Sequence, residues 1–327
     1  MAPRGNPALI FGGSGIGALR ADGSLIEGSF STAEEVSDLL KTLQSLGINR
    51  IDTAARYPQG NSGASERLLG EAGAAKHNFA IDTKIYVAND FAGSLEPAAI
   101  EMSLRDSRER LQLHDAPINV LFAHAPDPRT PLEAQAAGFD AQYKKGLFKE
   151  FGLSNFPPES LSELLKICRE KGYVKPTVYQ GQYNLVSRRV ETTLFPLLRE
   201  HGMTFHAFSP LAAGFLSGRL TAGDTAGTRF DKNSAVGEIL RGRYDKPEMH
   251  DAIDCLDETI EPLRISKVEA SLRWIYHHSA LGAGDAVILG ASKTSQLEQN
   301  LESVSKGPLP DFVVAAIDEM WEIVSKA

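Results

Sequence analysis

Four side chains that can move or stabilise a proton stand at the ends of apolar segments of the sequence. Asp52, Lys84 and His124 each close one such segment, and Tyr57 follows Asp52 by five positions. A phenol has an ordinary pKa of about 10, which makes it a poor proton donor at neutral pH. A nearby ammonium lowers that pKa, typically by about one to three units. We therefore predict that Lys84 lowers the pKa of Tyr57, which then acts as a general acid.

The same four residues suit the reduction of a carbonyl group. Asp52 is expected to keep Lys84 charged and oriented, and His124 to hydrogen-bond a substrate oxygen. No side chain supplies hydride, so a cofactor is implied. Asp82 shares the barrel-facing side of its strand with Lys84, and either aspartate can be the lysine's partner. Structural roles also remain open, such as a buried ion pair for Asp52 and Lys84 or a hydrogen-bonded core position for His124.

The elements that must position these residues form a regular pattern. Eight short apolar segments alternate with stretches of helical periodicity, namely ALIFG, RIDTA, FAIDTK, INVLFAH, FKEFGLSN, TVYQGQYN, TFHAFSP and AVILGAS. This alternation requires parallel strands, and eight such units close most readily into an α/β fold of the (β/α)8 TIM barrel type. A doubly wound sheet is the alternative. In a barrel, the carboxyl ends of all strands meet at one mouth, where working residues lie.

A glycine-rich turn, LIFGGSGIGAL, follows the first segment. Gly13, Gly15 and Ala18 match the relaxed spacing of a dinucleotide-binding turn. Gly23 and Gly28 would interrupt the helix that this motif requires, so we interpret the glycines as a strand-to-loop turn.

Other local signals mark helices and one long loop. Ser31 and Glu34 have the spacing of a capping box, and the segment 190–202 has helical periodicity. The segment 211–246 is far longer than an ordinary barrel loop, which predicts a lid or a disordered stretch. Residues 310–324 predict an extra amphipathic C-terminal helix beside the barrel mouth.

Composition excludes several classes of protein. A net charge of −8 over 327 residues gives no reason to expect a nucleic acid or an anionic membrane as partner. With no leader or membrane-spanning segment, we expect one cytoplasmic domain over residues 1–327. Cys168 and Cys255 are expected to be reduced thiols. His277 and His278 are neighbours on a predicted helix and point in different directions, so no metal site is predicted.

Longer stretches resemble a known family. IDTAARYPQGNSGASERLLG, GLSNF, YQGQYNLVSRRVETTLFPLLR and FSPLAAGFLSG are similar to the aldo-keto reductases, especially the aflatoxin-aldehyde and succinic-semialdehyde reductase branch. The resemblance implies a catalytic tetrad of Asp52, Tyr57, Lys84 and His124, with Tyr57 as the proton donor. It also implies NADPH/NADP+ as cofactor, a small carbonyl compound as substrate, and a monomer or homodimer.

The resemblance further implies a binding site for an extended cofactor. Ser154, Asn155 and Gln180 would hold the nicotinamide carboxamide, and Phe208 would stack on the ring where many relatives carry tyrosine. The other implied cofactor contacts are Gly12, Gly13, Ser209, Leu211, Gly214, Arg219, Ser292, Lys293, Gln296 and Asn300. Arg219 would lie near the pyrophosphate, in a segment that covers the cofactor.

Selection of NADPH over NADH is predicted at the turn after the eighth segment. Lys293 lies in this turn, and Thr294 can cap a helix that begins near Ser295, so a cation and unpaired N–H groups point to one place. That arrangement suits a 2′-phosphate. Gln296 and Asn300 would add neutral donors.

The substrate site and the reaction class leave alternatives. Arg243, in the stretch RGRY, resembles a substrate-facing residue and is a candidate to bind a carboxylate. The alternatives to a reductase are a barrel aldolase with Lys84 as Schiff base and a non-catalytic, cofactor-sensing subunit.

Overall fold

A closed barrel of parallel strands forms the centre of the molecule. The computed structural model describes residues 5–19, 30–88, 90–231 and 236–326. The strands pair in chain order and close between the last and the first. They are β1 (Ala8–Gly12), β2 (Arg50–Asp52), β3 (Ala80–Lys84), β4 (Ile118–Ala123), β5 (Phe148–Ser154), β6 (Val178–Gln182), β7 (Thr204–Phe208) and β8 (Ala286–Leu289). Each of the eight predicted segments contains one of them, so the predicted (β/α)8 fold is confirmed.

Helices surround this barrel. Those in the described part of the chain are α1 (Ala33–Ser45), α2 (Ala64–Glu71), α3 (Pro97–Arg110), α4 (Leu132–Lys144), α5 (Pro158–Lys171), α6 (Val190–Thr193), α7 (Phe195–Glu200), α8 (Gly237–Tyr244), α9 (Pro247–Ile260), α10 (Lys267–His277), α11 (Thr294–Ser305) and α12 (Asp311–Lys326). The main hydrophobic core lies between strands and helices. Small groups of apolar side chains such as Val120, Phe122 and Val178 form separate clusters.

Strand register decides which polar residues become neighbours. Gly12 of β1 pairs with Asp52 of β2, and Ser154 of β5 pairs with Gln180 of β6. Because all strands run in the same direction, their carboxyl ends surround one mouth.

Two predicted helix details are wrong. The capping box is formed by Thr32 and Glu35, one residue later than the predicted Ser31 and Glu34: Thr32 Oγ1 accepts from Glu35 N, and the Glu35 carboxylate accepts from Thr32 N. The sequence offers both registers with the same spacing. The segment 190–202 is not one helix but α6 and α7, divided at Leu194, because Pro196 has no N–H and disfavours an uninterrupted helix.

The long connection after β7 carries structure of its own. Residues Ala212–Ser217 form a 3₁₀ helix, and α8 and α9 follow later. Residues 232–235 lie outside the described part of this connection. The predicted C-terminal helix is α12, and it packs against α9.

The glycine turn after β1 is a short 3₁₀ helix, Gly13–Gly15. Gly23 and Gly28 lie outside the described residues. Across the described ranges, no helix is both long and apolar enough to cross a membrane.

Candidate active site

A buried ion pair connects β2 and β3 at the mouth of the barrel. Lys84 Nζ donates to both carboxylate oxygens of Asp52, at 2.8 and 2.7 Å, and to the carbonyl oxygen of Thr53 at 2.9 Å. Lys84 is 1% exposed and Asp52 3%. Burial lowers the pKa of Lys84, but the negative charge and hydrogen bonds of Asp52 outweigh burial, so the net pKa is raised. Lys84 is therefore an ammonium at neutral pH.

Tyr57 lies directly beside this ion pair. Its backbone is fixed on both sides, since Tyr57 N donates to Ala54 O and Tyr57 O accepts from Ser65 N. Lys84 Nζ lies 4.8 Å from the centre of the Tyr57 ring, and the His124 ring meets that ring edge-on with centroids 5.6 Å apart. The four residues singled out from the sequence are thus brought together.

The pKa of Tyr57 runs against the sequence prediction. Burial raises the pKa of this phenol above its ordinary value, whereas the Lys84 ammonium lowers it, and the net shift is upward. The predicted contribution of Lys84 has the expected sign, but desolvation of the phenolate exceeds it. Tyr57 accordingly carries its proton at neutral pH.

His124 is held as a neutral ring. Burial, together with the positive charges of Lys84 and Arg56, lowers the pKa of His124 to about 3. Its Nδ1 atom is buried without a hydrogen-bond partner.

Asp82 is not the partner of Lys84. Its carboxylate accepts from Arg50 Nε and from Asn119 Nδ2, both at 2.8 Å. Burial raises its pKa to about 6. Of the two aspartates left open by the sequence, Asp52 alone bonds the lysine.

The residues expected at the nicotinamide carboxamide lie at the ends of β5 and β6. Ser154 is buried, and its Oγ accepts from Asn155 Nδ2 at 3.0 Å. Asn155 also donates to the carbonyl oxygen of His124, and its φ of 62° lies in the left-handed region. Gln180 is buried and donates from Nε2 to Asp52 Oδ1 at 2.7 Å. Sequence analysis missed this last contact.

Packing inside the protein explains the glycines at positions 12 and 13. A Cβ on Gly12 would lie 2.9 Å from Ile288, and one on Gly13 would lie 3.1 Å from the carbonyl oxygen of Asp52. Both glycines are buried. Close approach of neighbouring groups therefore favours glycine at both positions, with or without a cofactor.

The end of β7 presents an aromatic face and a strained turn. Phe208 is partly buried and packs against Ile10, Ala286 and Ile288. Ser209 has a positive φ of 54°, and its carbonyl oxygen accepts from Asn184 Nδ2.

The start of the long connection contains an open backbone position. Gly214 has a φ of 102°, and a Cβ there would meet nothing within 4 Å. Leu211 accepts from the N–H of Gly214 through its carbonyl oxygen. Arg219 is exposed and is bonded to Asp224 and to the carbonyl oxygen of Ala226 within its own segment.

A free helix N-terminus lies beyond β8. Lys293 is the N-cap residue of α11, which begins at Thr294, and no side chain caps it; the predicted cap by Thr294 is wrong by one position. Lys293 is exposed and forms no ion pair with any residue in the described ranges. Gln296 Oε1 accepts from the N–H and hydroxyl of Ser292. Asn300, one turn along α11, is buried.

Arg243 reaches the mouth from the long connection. It lies on α8, is exposed, and donates from Nη1 to Gln182 Oε1 at 2.9 Å. Gln182 is the last residue of β6 and also donates to the hydroxyl of the buried Tyr244. Tyr244 stacks on Phe215, with ring centroids 5.3 Å apart, which fixes α8 to the start of the connection.

One structural residue near the mouth was also missed. Asp127 follows β4, and its carboxylate accepts from the N–H groups of Gly93, Leu95 and Arg129 and from the Thr130 hydroxyl. It therefore joins the loop after β3 to the loop after β4. In the sequence, this role is indicated by nothing more than an Asp-Pro pair that begins three residues after His124.

His277, the last residue of α10, and His278, its C-cap, both hydrogen-bond to backbone groups. His277 Nε2 lies 2.9 Å from the carbonyl oxygen of Val304, and His278 Nε2 accepts from Leu309 N. Within the part of the chain that the structure describes, no group of three or more His, Cys, Asp or Glu side chains could hold a metal.

Comparison with known proteins agrees with this geometry. The model of the aldo/keto reductase family matches residues 8–322. The chain belongs to this family. As an aldo/keto reductase it is an oxidoreductase that reduces carbonyl compounds.

Named relatives of this aldo/keto reductase support the same assignment. Human aldo-keto reductase family 7 member A3 is 39% identical over 293 residues, covering 85% of this chain and 86% of the relative. Human aflatoxin B1 aldehyde reductase member 2 is 39% identical over 291 residues, covering 85% of this chain and 79% of the relative. Oxidoreductase sirO of Leptosphaeria maculans is 32% identical over 322 residues, covering 98% of this chain and 95% of the relative.

Proposed function

We propose that this reductase uses NADPH to reduce aldehydes or ketones to alcohols, with Tyr57 as general acid. The observation that carries the proposal is the position of the Lys84 ammonium, bonded to Asp52 and 4.8 Å from the centre of the Tyr57 ring. Reduction adds a hydride to the carbonyl carbon and a proton to its oxygen. NADPH supplies the hydride when bound.

The residues of the chain handle the proton and the oxygen. The Tyr57 hydroxyl donates its proton to the substrate oxygen as negative charge develops there. Lys84 stabilises the phenolate that remains, and Asp52 keeps Lys84 charged and fixed. His124, neutral because its pKa is about 3, offers a ring nitrogen to hydrogen-bond the same oxygen.

The residues at the mouth fit a dinucleotide phosphate. The uncapped N-terminus of α11 and the exposed Lys293 together offer N–H groups and a positive charge to a 2′-phosphate. Gly214 leaves space for a phosphate to approach the backbone, and Phe208 offers a ring face. The remaining proposed contacts are Gly12, Gly13, Ser154, Asn155, Gln180, Ser209, Leu211, Arg219, Ser292, Gln296 and Asn300.

An aldehyde with a carboxylate is the proposed substrate class. Two human relatives named aflatoxin B1 aldehyde reductase support an aldehyde. Arg243, exposed on α8 and oriented by Gln182, is the proposed partner of the carboxylate. The chain is proposed to act as one domain, as a monomer or homodimer.

The raised pKa of Lys84 argues against the aldolase alternative. A lysine that attacks a carbonyl must lose its proton, which requires a lowered pKa. Here Asp52 holds the lysine in its charged form.

A panel of aldehydes tests the proposal. Oxidation of NADPH is followed by its absorbance, with matched aldehydes that carry or lack a carboxylate. We expect turnover with several aldehydes and a lower KM for the carboxylated ones. If no aldehyde or ketone in the panel is reduced with NADPH, the proposed NADPH-dependent reaction is wrong.

A further inference from the structure

Ser65, at the start of α2, joins three segments that surround the active site. Its backbone N–H donates to the carbonyl oxygen of Tyr57 at 3.2 Å. Its hydroxyl donates to the carbonyl oxygen of Gly13 at 2.9 Å and lies 2.8 Å from the hydroxyl of Thr53. Ser65 and Thr53 are both 0% exposed, so water does not compete for these hydrogen bonds. One buried serine thus contacts the glycine turn after β1, the residue after Asp52 and the loop that carries Tyr57.

The direction of this chain of hydrogen bonds follows from its end at Gly13. A carbonyl oxygen only accepts, so the single hydroxyl proton of Ser65 is used on Gly13. The Thr53 hydroxyl must therefore be the donor to Ser65 Oγ. Each hydroxyl proton has one acceptor, which fixes the Ser65 side chain between the turn after β1 and the end of β2.

The same threonine also holds the lysine of the ion pair. Lys84 Nζ donates to the Thr53 carbonyl oxygen at 2.9 Å and to both carboxylate oxygens of Asp52. These three bonds use all the N–H donors of a lysine ammonium. The placement of the Tyr57 phenol beside Lys84 therefore depends on the backbone that carries each residue. Ser65 connects the two backbones, since its hydroxyl bonds Thr53 and its N–H bonds the Tyr57 carbonyl.

A second anchor holds the same end of α2. Glu66, the residue after Ser65, is 0% exposed and accepts from the Thr83 hydroxyl at 2.5 Å. It also accepts from Arg110 Nε at 2.8 Å, and so joins α2 to both β3 and α3. Loss of the Ser65 hydroxyl removes one of the two anchors and leaves the other. We therefore expect Ser65→Ala to fold.

We propose that Ser65 is a positioning residue of the proton donor. Its hydroxyl fixes the start of α2 against β1 and β2, and its N–H holds the Tyr57 carbonyl. The phenol is thereby kept beside the ammonium, with the centre of the Tyr57 ring 4.8 Å from Lys84 Nζ. The consequence for catalysis rests on the proposed function, because it takes Tyr57 as the general acid.

A spectroscopic experiment tests the placement of Tyr57 without any turnover. The chain has eight tyrosines. In protein labelled with ¹³C at the tyrosine Cζ atoms, the Tyr57 signal is the one that is absent from Tyr57→Phe. Because the chemical shift of Cζ depends on the surroundings of the phenol oxygen, we expect Ser65→Ala to move this signal.

The matched control for this experiment is Ser271→Ala. Ser271 is 1% exposed, and its hydroxyl donates to the Lys267 carbonyl oxygen within α10. This variant loses a buried serine hydroxyl away from the site and should leave the Tyr57 signal in place. A Tyr57 signal that keeps its wild-type position in Ser65→Ala overturns the proposal.

Kinetics test the consequence for proton transfer. With an aldehyde that wild type reduces, kcat of Ser65→Ala should fall about ten- to a hundredfold, the effect of a small displacement of a reacting group. The KM for the aldehyde and the Kd for NADPH should stay close to their wild-type values. The ratio of kcat in light water to kcat in heavy water should rise, because the misplaced proton transfer then limits the rate.

The solvent ratio separates positioning from a loss of folded protein. A preparation with less folded enzyme loses kcat by the same factor in both solvents, so its ratio does not change. An unchanged kcat, or a lowered kcat with the wild-type solvent ratio, overturns the positioning role.

A double variant tests whether the chain of hydroxyls carries the effect. Thr53→Val keeps the shape of the side chain and removes the donor to Ser65 Oγ. In Ser65→Ala that donor has already lost its acceptor, so Thr53→Val/Ser65→Ala should have nearly the kcat of Ser65→Ala alone. Effects of the two changes that multiply would show independent roles and overturn the chain.

The outcomes also separate this proposal from the proposed function. Absence of NADPH-dependent reduction by the wild-type protein overturns the proposed function, and the Tyr57 signal still decides whether Ser65 positions this residue. Normal reduction by wild type, together with wild-type kinetics in Ser65→Ala, overturns the positioning role alone.

Discussion

Lys84 bonds both carboxylate oxygens of Asp52, at 2.8 and 2.7 Å, in a site where neither residue is more than 3% exposed. Removal of either partner would leave a buried charge without compensation, which is strongly destabilising in proteins. The pair therefore makes Lys84 a permanent cation next to Tyr57. Asp82, on β3, instead accepts hydrogen bonds from Arg50 and Asn119.

The low pKa of His124 predicts that its ring does not titrate in the working pH range. With a pKa of about 3 in the folded protein, His124 is neutral throughout pH 5 to 8. We expect kcat for aldehyde reduction to show no inflection near pH 6.5. An inflection there that disappears in His124→Gln would mean that the imidazolium takes part.

The lowered pKa of Asp127 predicts a contribution to the stability of the folded protein that is lost in acid. Burial raises the pKa of Asp127, but hydrogen bonds from Leu95, Thr130 and other donors outweigh it, and the net pKa is about 2. A carboxyl whose pKa is lower in the folded state stabilises the protein above its unfolded pKa of about 4, and this contribution is lost as pH falls toward 2.

Asp127→Asn should therefore lower the free energy of unfolding at pH 7 by up to about 2 kcal/mol, measured by urea denaturation. The difference from wild type should shrink as pH falls from about 4 to about 2. Asp115→Asn, at an exposed position, is the control and should change little. A deficit that stays constant down to pH 2 would contradict the ionic origin of the effect.

Lys293 is expected to select NADPH over NADH. Lys293→Ala should raise Kd for NADPH about ten- to a hundredfold, because a charge-assisted phosphate contact is lost, and leave Kd for NADH nearly unchanged. Lys306→Ala, at the other end of α11, is the control. Equal losses for both cofactors would show that Lys293 does not bind the 2′-phosphate.

The long connection after β7 is expected to become protected when cofactor binds. Arg229 is exposed, and its charge is among those that lower the pKa of Tyr57, so this segment lies near the phenol. Saturating NADPH should slow trypsin cleavage after Arg229 and leave cleavage after Lys145, at the opposite end of the barrel, unchanged. Equal rates at Arg229 with and without NADPH would exclude a cofactor-covering role.

The strands and the four site residues could be predicted from the sequence because both follow simple rules. Alternating strands and helices require a parallel barrel, and a parallel barrel brings the ends of β2, β3 and β4 to one mouth. The net shift of the Tyr57 pKa was not predictable in this way, because it is a balance between burial and the charge of Lys84.

Other features depend on side-chain geometry that a sequence does not encode locally. The bond from Gln180 to Asp52 joins residues 128 positions apart and depends on the rotamers inside the closed barrel. The sequence allows two capping boxes with the same spacing, Ser31 with Glu34 and Thr32 with Glu35. Thr32 is the N-cap because α1 begins at Ala33. Four of the five hydrogen bonds to the Asp127 carboxylate come from backbone N–H groups, which leave no residue pattern in the sequence.

Turnover by Tyr57→Phe tests the central claim most directly. The substitution removes the hydroxyl and keeps the ring that packs against His124, so Kd for NADPH should stay near the wild-type value. With an aldehyde that wild type reduces, kcat should fall about 10²–10⁴-fold, because the proton donor is gone. A kcat close to that of wild type would contradict the assignment of Tyr57 as the general acid.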